Sequence, residues 1–503
     1  MASAPTTSAV ELEDIQGLVR FAYKHHTEAV FLLLRITDRA AARAWLVRAP
    51  ITDARTRDPP PNTALQVAFT SAGLRALGVA EGIIDSFSSE FVEGMTGDAS
   101  RSRRLGDQGP SDPTRWQWGN GERVPHVAVL LYALPGLLRE LQQSIENELK
   151  AGFAITERLT TVNLDGVEPF GFVDGISQPD LDWSRQRPAR DLTQQSYLNL
   201  SCLGEYLLGY PNEYGLYTPR PLIEPPRDAQ GILPRAEDAP GSCDMGRNGS
   251  YLVLRQLRQD VPGFWRALDR YAQGVASHRE QLASAMVGRK LDGQPLEPLQ
   301  DSATEAGGDP QASLNAFDYR ADPQGLRCPL GAHIRRANPR NADLPPGGDG
   351  LLSRLVRILG FNGQAREQDL VASTRFHRLL RRGREYGAGV TPAQALAGMG
   401  AGDDRGLHFI CLNANLQRQF EFVQSAWLMS SKFDGMRDES DPLLGNRLEV
   451  IAGMPTDCFS APQPDGPGER LTGLPQFVTV LGGAYFFLPG IRALRFLTSA
   501  PTP

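Results

Sequence analysis

Three short segments hold residues whose types and spacing bear on chemistry. Residues 168–179 read EPFGFVDGISQP, which sets one carboxylate, Asp174, between Gly171 and Gly175, residues that permit tight turns and close approach of another group. Taken alone, an Asp-Gly pair reads as a turn in which the aspartate bonds its own backbone. Residues 327–340, RCPLGAHIRRANPR, place His333 among Arg327, Arg335, Arg336 and Arg340, in a chain with only 7 histidines. A neutral imidazole can ligate haem iron, and nearby guanidinium groups can pair with the two carboxylates of that cofactor. A solvated histidine in a basic loop is the plain alternative. Residues 375–387, RFHRLLRRGREYG, put Leu379 and Leu380 in a strand from which an arginine can project inward, while most of arginines 375, 378, 381, 382 and 384 are expected in water. In residues 407–412 alternation puts Leu407 and Phe409 on one face and His408 on the other, a pattern that core packing alone explains.

The composition narrows the partners. The chain has 503 residues, enough for two domains, and its 41% hydrophobic and 22% charged content is that of an ordinary globular protein. Its 52 basic residues are scattered among 58 acidic ones with net charge -6, so no basic run follows a phosphate backbone and nucleic acid is not an expected partner. The longest apolar stretch, residues 127–138, is about half the length of a membrane span. The first fifteen residues lack the basic and apolar regions of a secretory signal. Five dispersed cysteines with no C-x-x-C pair fit a reducing, cytoplasmic setting.

The elements that must position these groups alternate. Strands are expected at 29–36, 64–69, 126–134 and 159–164, with helices after the first strand and over 137–150, the β-α-β-β-α-β order of a ferredoxin-like unit. Residues 219–241 are Pro-rich and read as a linker or long surface loop. Beyond it the order repeats: strand 250–257, helix 262–273, a long excursion, strands near 376–382 and at 407–412, helix 417–429 and strand 477–481. The fold class is therefore α+β, two ferredoxin-like domains with antiparallel sheets, divided as 1–218, a linker 219–247, and 248–503.

With these segments in this order, and with FVTVLGGAYFFLP at 477–489, DIQG from Asp14, LQVAFTSAGLRALGV at 65–79 and SYLVLRQLRQDVPGFW at 250–265, the chain resembles the longer members of the dye-decolorizing peroxidases along nearly its whole length. The resemblance implies one haem b per chain, held mainly by the C-terminal domain. It implies that Asp174, in the G-x-x-D-G hallmark at 171–175, is the distal acid-base residue. Arg381, six residues before Gly387, becomes the distal arginine, and His333 the proximal iron ligand. Ile176, Arg340, Leu407 and Phe409 become residues around the cofactor. Relatives often carry Asn or Ser two positions after the distal arginine, where this chain has Gly383. The acidic partner of the proximal histidine is not assigned by the motifs. The implied reaction is peroxide cleavage to a ferryl oxidant, which then oxidises dyes, phenolics, other small aromatic reductants and sometimes Mn(II). Bulky dyes require surface relays, for which Trp265, Tyr386, Trp427 and Tyr485 are candidates. The alternative is a haem-binding or iron-releasing protein on the same fold with little turnover. Oligomeric state is left open.

Overall fold

The computed structural model describes residues 9–186, 199–299, 314–340, 373–451, 454–463 and 466–499. Its frame is one antiparallel sheet made of two equivalent sets of strands. The first set is β1 (Glu28–Ile36), β2 (Thr63–Phe69), β3 (Val127–Ala133) and β4 (Phe153–Thr160), and the second is β5 (Ser250–Gln259), β6 (Leu380–Arg381), β7 (Arg384–Tyr386), β8 (Gly406–Asn413) and β9 (Val478–Leu488). The strands run β6-β8-β5-β9-β2-β3-β1-β4, with β7 also paired to β8. Numbered within its own half, with β6 and β7 as one broken strand, each set has the order 4-1-3-2, the ferredoxin-like arrangement. The seam between halves is a single ladder pair, Phe487 with Phe69.

The central strands are apolar without alternation because both faces of the sheet are covered. In β1, Val30, Leu32 and Leu34 join one core while Phe31 and Leu33 join another, and all are buried. Helix α1 (Arg39–Arg48) follows β1, started by Asp38, whose side chain accepts from Ala41 N, and α2 (Leu138–Leu149) links β3 to β4. In the second half α3 (Val261–Tyr271) starts at Asp260, which accepts from Gly263 N, with Pro262 in the first turn. The expected helix at 417–429 is wound as π-helix over Gln417–Glu421 and Val423–Leu428. Among the described residues no helix is long and apolar enough to cross a membrane.

Several boundaries differ from the sequence expectation. The fourth strand lies at Phe153–Thr160, not 159–164. It is an edge strand that alternates buried and exposed positions, so Glu157 and Arg158 hide its apolar face from a search for continuous runs. The single strand expected near 376–382 is a 3₁₀ turn at Ser373–Phe376 followed by the short strands β6 and β7, broken at Gly383. The last strand extends to Leu488. The Pro-rich stretch carries a small antiparallel pair, Leu222–Ile223 with Cys243–Asp244, anchored where Arg220 Nε meets Asp244 Oδ2 at 2.6 Å.

The arginines of 375–384 also depart from expectation, since Arg375, Arg378 and Arg382 are buried. Arg382 donates to the carbonyls of Leu18 and Val19, Arg384 to those of Ala22 and Tyr23, and Arg375 pairs with buried Glu213. The guanidinium fork satisfies several backbone acceptors at once, which makes its burial tolerable.

Candidate active site

The motif around Asp174 follows β4 and folds back on itself. Val167 bridges Val173, and Asp174 N donates to Gly166 O at 3.0 Å. Gly171 and Gly175 take φ of 106° and 77°, values that side-chain-bearing residues rarely adopt, so both glycines are needed for the turn. Glu168 clamps it from inside: its carboxylate accepts from Phe170 N, Phe172 N and Gln259 Nε2. Burial pushes the Glu168 carboxyl up to about 7.

Arg381 ends β6 and pairs Nη1 with Asp174 Oδ1 at 3.1 Å. Its Nη2 reaches Ser177 O at 3.3 Å, and its backbone N–H donates to Gln178 Oε1 at 3.0 Å, so both ends of the arginine are held by the segment that carries Asp174. The two side chains keep 34% and 38% exposure because they border a cavity that admits solvent. Enclosure works against ionisation of Asp174, but Arg381 and the Gly175 N–H outweigh it and hold the carboxyl below its ordinary value.

His333 opens the short helix His333–Ala337, inside the long excursion between α3 and β6. Its Nδ1 bonds Asp441 Oδ2 at 2.9 Å. Asp441 is fully buried, and its other oxygen accepts from Leu443 N and Leu444 N at 2.9 and 2.8 Å. Burial disfavours the charged form, yet the His333 ring and the backbone amide keep the Asp441 carboxyl below its usual value. Burial likewise lowers the imidazole's affinity for a proton, and Asp441 overcomes this, so the net shift of His333 is upward. Asp441 is the acidic partner that the motifs leave unassigned. Its one local signal is Asp441-Pro442 followed by two leucines, an Asx-type turn in an apolar segment.

One cavity of about 710 Å³ brings these groups together: Asp174, Ile176, His333, Arg340, Arg381, Leu407 and Phe409 all line it. His408 points its ring to Tyr386, stacked at 4.5 Å, and bonds Thr160 O, as alternation in β8 requires. Of the four arginines near His333, only Arg340 borders the cavity. It stacks on Phe317 with its guanidinium carbon 3.6 Å from the ring centroid and donates to the Asn315 and Phe317 carbonyls. Arg335 is bound to Asp322 and Cys328 O, Arg336 to the carbonyls of Trp427, Ser430 and Glu439, and Arg327 to Glu297. Gly383, where relatives often have a polar side chain, has no room for one: a Cβ there would sit 2.7 Å from His408 O.

Among the described residues no three His, Cys, Asp or Glu side chains converge as a metal-ligand set. The cavity is within the range of roughly 300–1,000 Å³ that takes cofactor-sized molecules, and His333, backed by Asp441, could hold a haem iron there. His333 backed by a buried carboxylate, with an Asp–Arg pair on the same cavity, is an arrangement that could hold a haem and work beside it, on a double ferredoxin-like fold.

The comparisons agree. A dye-decolorizing peroxidase of Mycetinis scorodonius is 28% identical over 99% of this chain and 90% of its own length, and a multifunctional dye peroxidase of an Amycolatopsis strain is 29% identical over 86% and 82%. An ancestral D-type dye-decolorizing peroxidase superposes with TM-score 0.70 at 25% identity, covering 97% of this chain and 99% of that one. A dye-decolorizing peroxidase solved with 2,6-dimethoxyphenol gives TM-score 0.70 at 23% identity over 97% and 100%. No protein-family profile matches the chain. Along nearly its whole length the chain is similar to dye-decolorizing peroxidases.

Proposed function

We propose that this protein is a hydrogen-peroxide-dependent haem peroxidase oxidising dyes, phenolics and similar one-electron donors, with Asp174 and Arg381 promoting O–O cleavage and His333 as the residue that would hold the haem iron. The observation that carries the reading is that the Asp174–Arg381 and Asp441–His333 pairs line one cavity. Haem b, one per chain, would supply the redox-active iron for peroxide cleavage when bound. His333 would hold it through Nε2, since Nδ1 is committed to Asp441. Arg340 would face the cofactor's carboxylates, and Ile176, Leu407 and Phe409 would pack against its ring.

The chain's own groups divide the work by charge. Asp174, kept ionised by Arg381, accepts the proton from one peroxide oxygen and returns it to the other. Arg381 is permanently charged and stabilises the negative charge that builds on the far oxygen as the returned proton makes it a departing water. A haem carrier has no need of such a pair, and the curated relatives are named as peroxidases. Of Trp265, Tyr386, Trp427 and Tyr485, only Trp427 lines the cavity, which supports it as a relay for donors too bulky to enter. The five cysteines are buried and none is joined in a disulfide, which supports a reducing, cytoplasmic setting. The repeated 4-1-3-2 strand order supports the division into 1–218 and 248–503 around the Pro-rich segment 219–247.

The test is an absorption spectrum of haem-reconstituted protein, then stopped-flow mixing with hydrogen peroxide. Asp174→Ala is expected to slow the peroxide reaction by about 10²–10⁴-fold, and Arg381→Leu by about 10²–10³-fold. Absence of haem uptake, or variants as fast as wild type, would reject the proposal.

A further inference from the structure

Tyr485 lies within β9, only 2% exposed, and its hydroxyl donates to Glu421 Oε1 at 2.9 Å. Glu421 is itself buried, with 6% side-chain exposure, and is ion-paired to Arg101 Nε at 3.0 Å and Arg104 Nη2 at 3.8 Å. Packing does not call for this arrangement. Phe486 and Phe487 fill adjacent positions of the same strand, and a phenylalanine at 485 would spare the fold a buried carboxylate, which is costly even when paired.

The position of the pair relative to the cavity supplies its use. Phe420 lines the cavity, and its ring centroid lies 6.0 Å from that of Tyr485, edge to face, and 6.4 Å from that of Phe409, another wall residue. One aromatic ring therefore separates the cavity from a phenol that already has a base on its proton. Glu421 also connects outward, since Arg104 is 48% exposed and Arg101 pairs with Glu93, which is 51% exposed.

We propose that Tyr485 and Glu421 form a proton-coupled electron donor to the oxidised cavity centre. The inference rests on the peroxidase reading, which supplies the oxidant: a cofactor that peroxide has oxidised. One electron leaves Tyr485 past Phe420 to that centre. The phenolic O–H bond breaks, its proton forms an O–H bond at Glu421 Oε1, and a neutral tyrosyl radical remains. An external one-electron donor restores the tyrosine as the proton returns. Without the proton step the product would be a buried cation with Arg101 and Arg255 nearby, which a water-free interior disfavours strongly. Burial raises the Glu421 carboxyl above its ordinary value, against the pull of Arg101, so it accepts a proton more readily than an exposed glutamate. Tyr386 bonds a carboxylate too, but Asp404 is exposed, so its proton partner is not the buried base that Glu421 is.

The test is rapid freeze-quench electron paramagnetic resonance of the haem-loaded protein mixed with hydrogen peroxide and no reductant. A radical signal is expected that narrows when the protein carries ring-deuterated tyrosine, is lost in Tyr485→Phe and persists in Tyr386→Phe. Glu421→Gln keeps the shape and removes the base, so the signal should fall there as well, a readout that does not depend on the Tyr485 variant folding. A cofactor spectrum that responds normally to peroxide, with no tyrosine signal in wild type or one undiminished in Tyr485→Phe, overturns this inference alone. A wild-type spectrum indifferent to peroxide overturns the peroxidase reading and this inference with it.

Discussion

Asp441 and Asp174 are the same chemical group set in opposite circumstances on one cavity. Asp441 has no exposure and accepts from an imidazole and two backbone amides. Asp174 keeps 38% exposure and one charged partner. Both are held below the usual carboxylate range, one chiefly by an imidazole and the other by a guanidinium. A carboxylate with both oxygens engaged and no access to water serves to fix its neighbour. One that is part exposed beside an open cavity retains the freedom to take up and release a proton.

The contrast can be broken most severely on the buried side. His333→Ala should abolish retention of haem, seen as loss of the Soret band after gel filtration. Asp441→Asn keeps the size of the partner but lowers the basicity of the ligand, and cofactor affinity should fall by about 10–100-fold in a haem-transfer titration. An Asp441→Asn protein that binds as wild type would place the buried carboxylate outside the ligand's support.

A smaller effect sharpens the other side. In Arg381→Leu the largest influence that lowers the Asp174 pKa is removed while burial, which raises it, stays. The carboxyl pKa therefore rises, and the acid limb of the peroxide reaction, which follows ionised Asp174, moves to higher pH in stopped-flow rates. An unmoved limb would assign that limb to another group. Smallest is Glu168→Gln, which leaves one backbone or amide donor facing another beneath the turn and should cost about 1 kcal/mol by denaturant titration. A variant as stable as wild type would show that Gly171 and Gly175 hold the turn without that clamp.

Legibility in the sequence followed the range of the interaction. Asp174 and His333 stand in compact motifs, and β3 and the Ala29–Leu34 part of β1 are apolar because both sheet faces are covered, so all four could be located from local sequence. Asp441 is 108 residues from His333, and its own signal is an ordinary Asp-Pro turn. The arginines at 382 and 384 look solvated until their acceptors appear, carbonyls more than 360 residues earlier in the chain. Strand β4 was misplaced because an edge strand shows half its residues to water. The same logic hid Gly383, whose lack of a side chain is explained by a backbone carbonyl of the neighbouring strand and not by its own surroundings in sequence.

That close approach at Gly383 also bears on how the protein can change. Adding even a serine would press a Cβ on His408 O, an atom fixed in the sheet, so no single substitution installs a third polar group there without moving β8. Strand β8 also carries Leu407 and Phe409, so such a movement would alter the cavity wall at the same time. Under the proposed roles, variation in peroxide handling is channelled into Asp174, Arg381 and the water they admit, and a route to a third polar side chain at the site passes first through repacking of the strand.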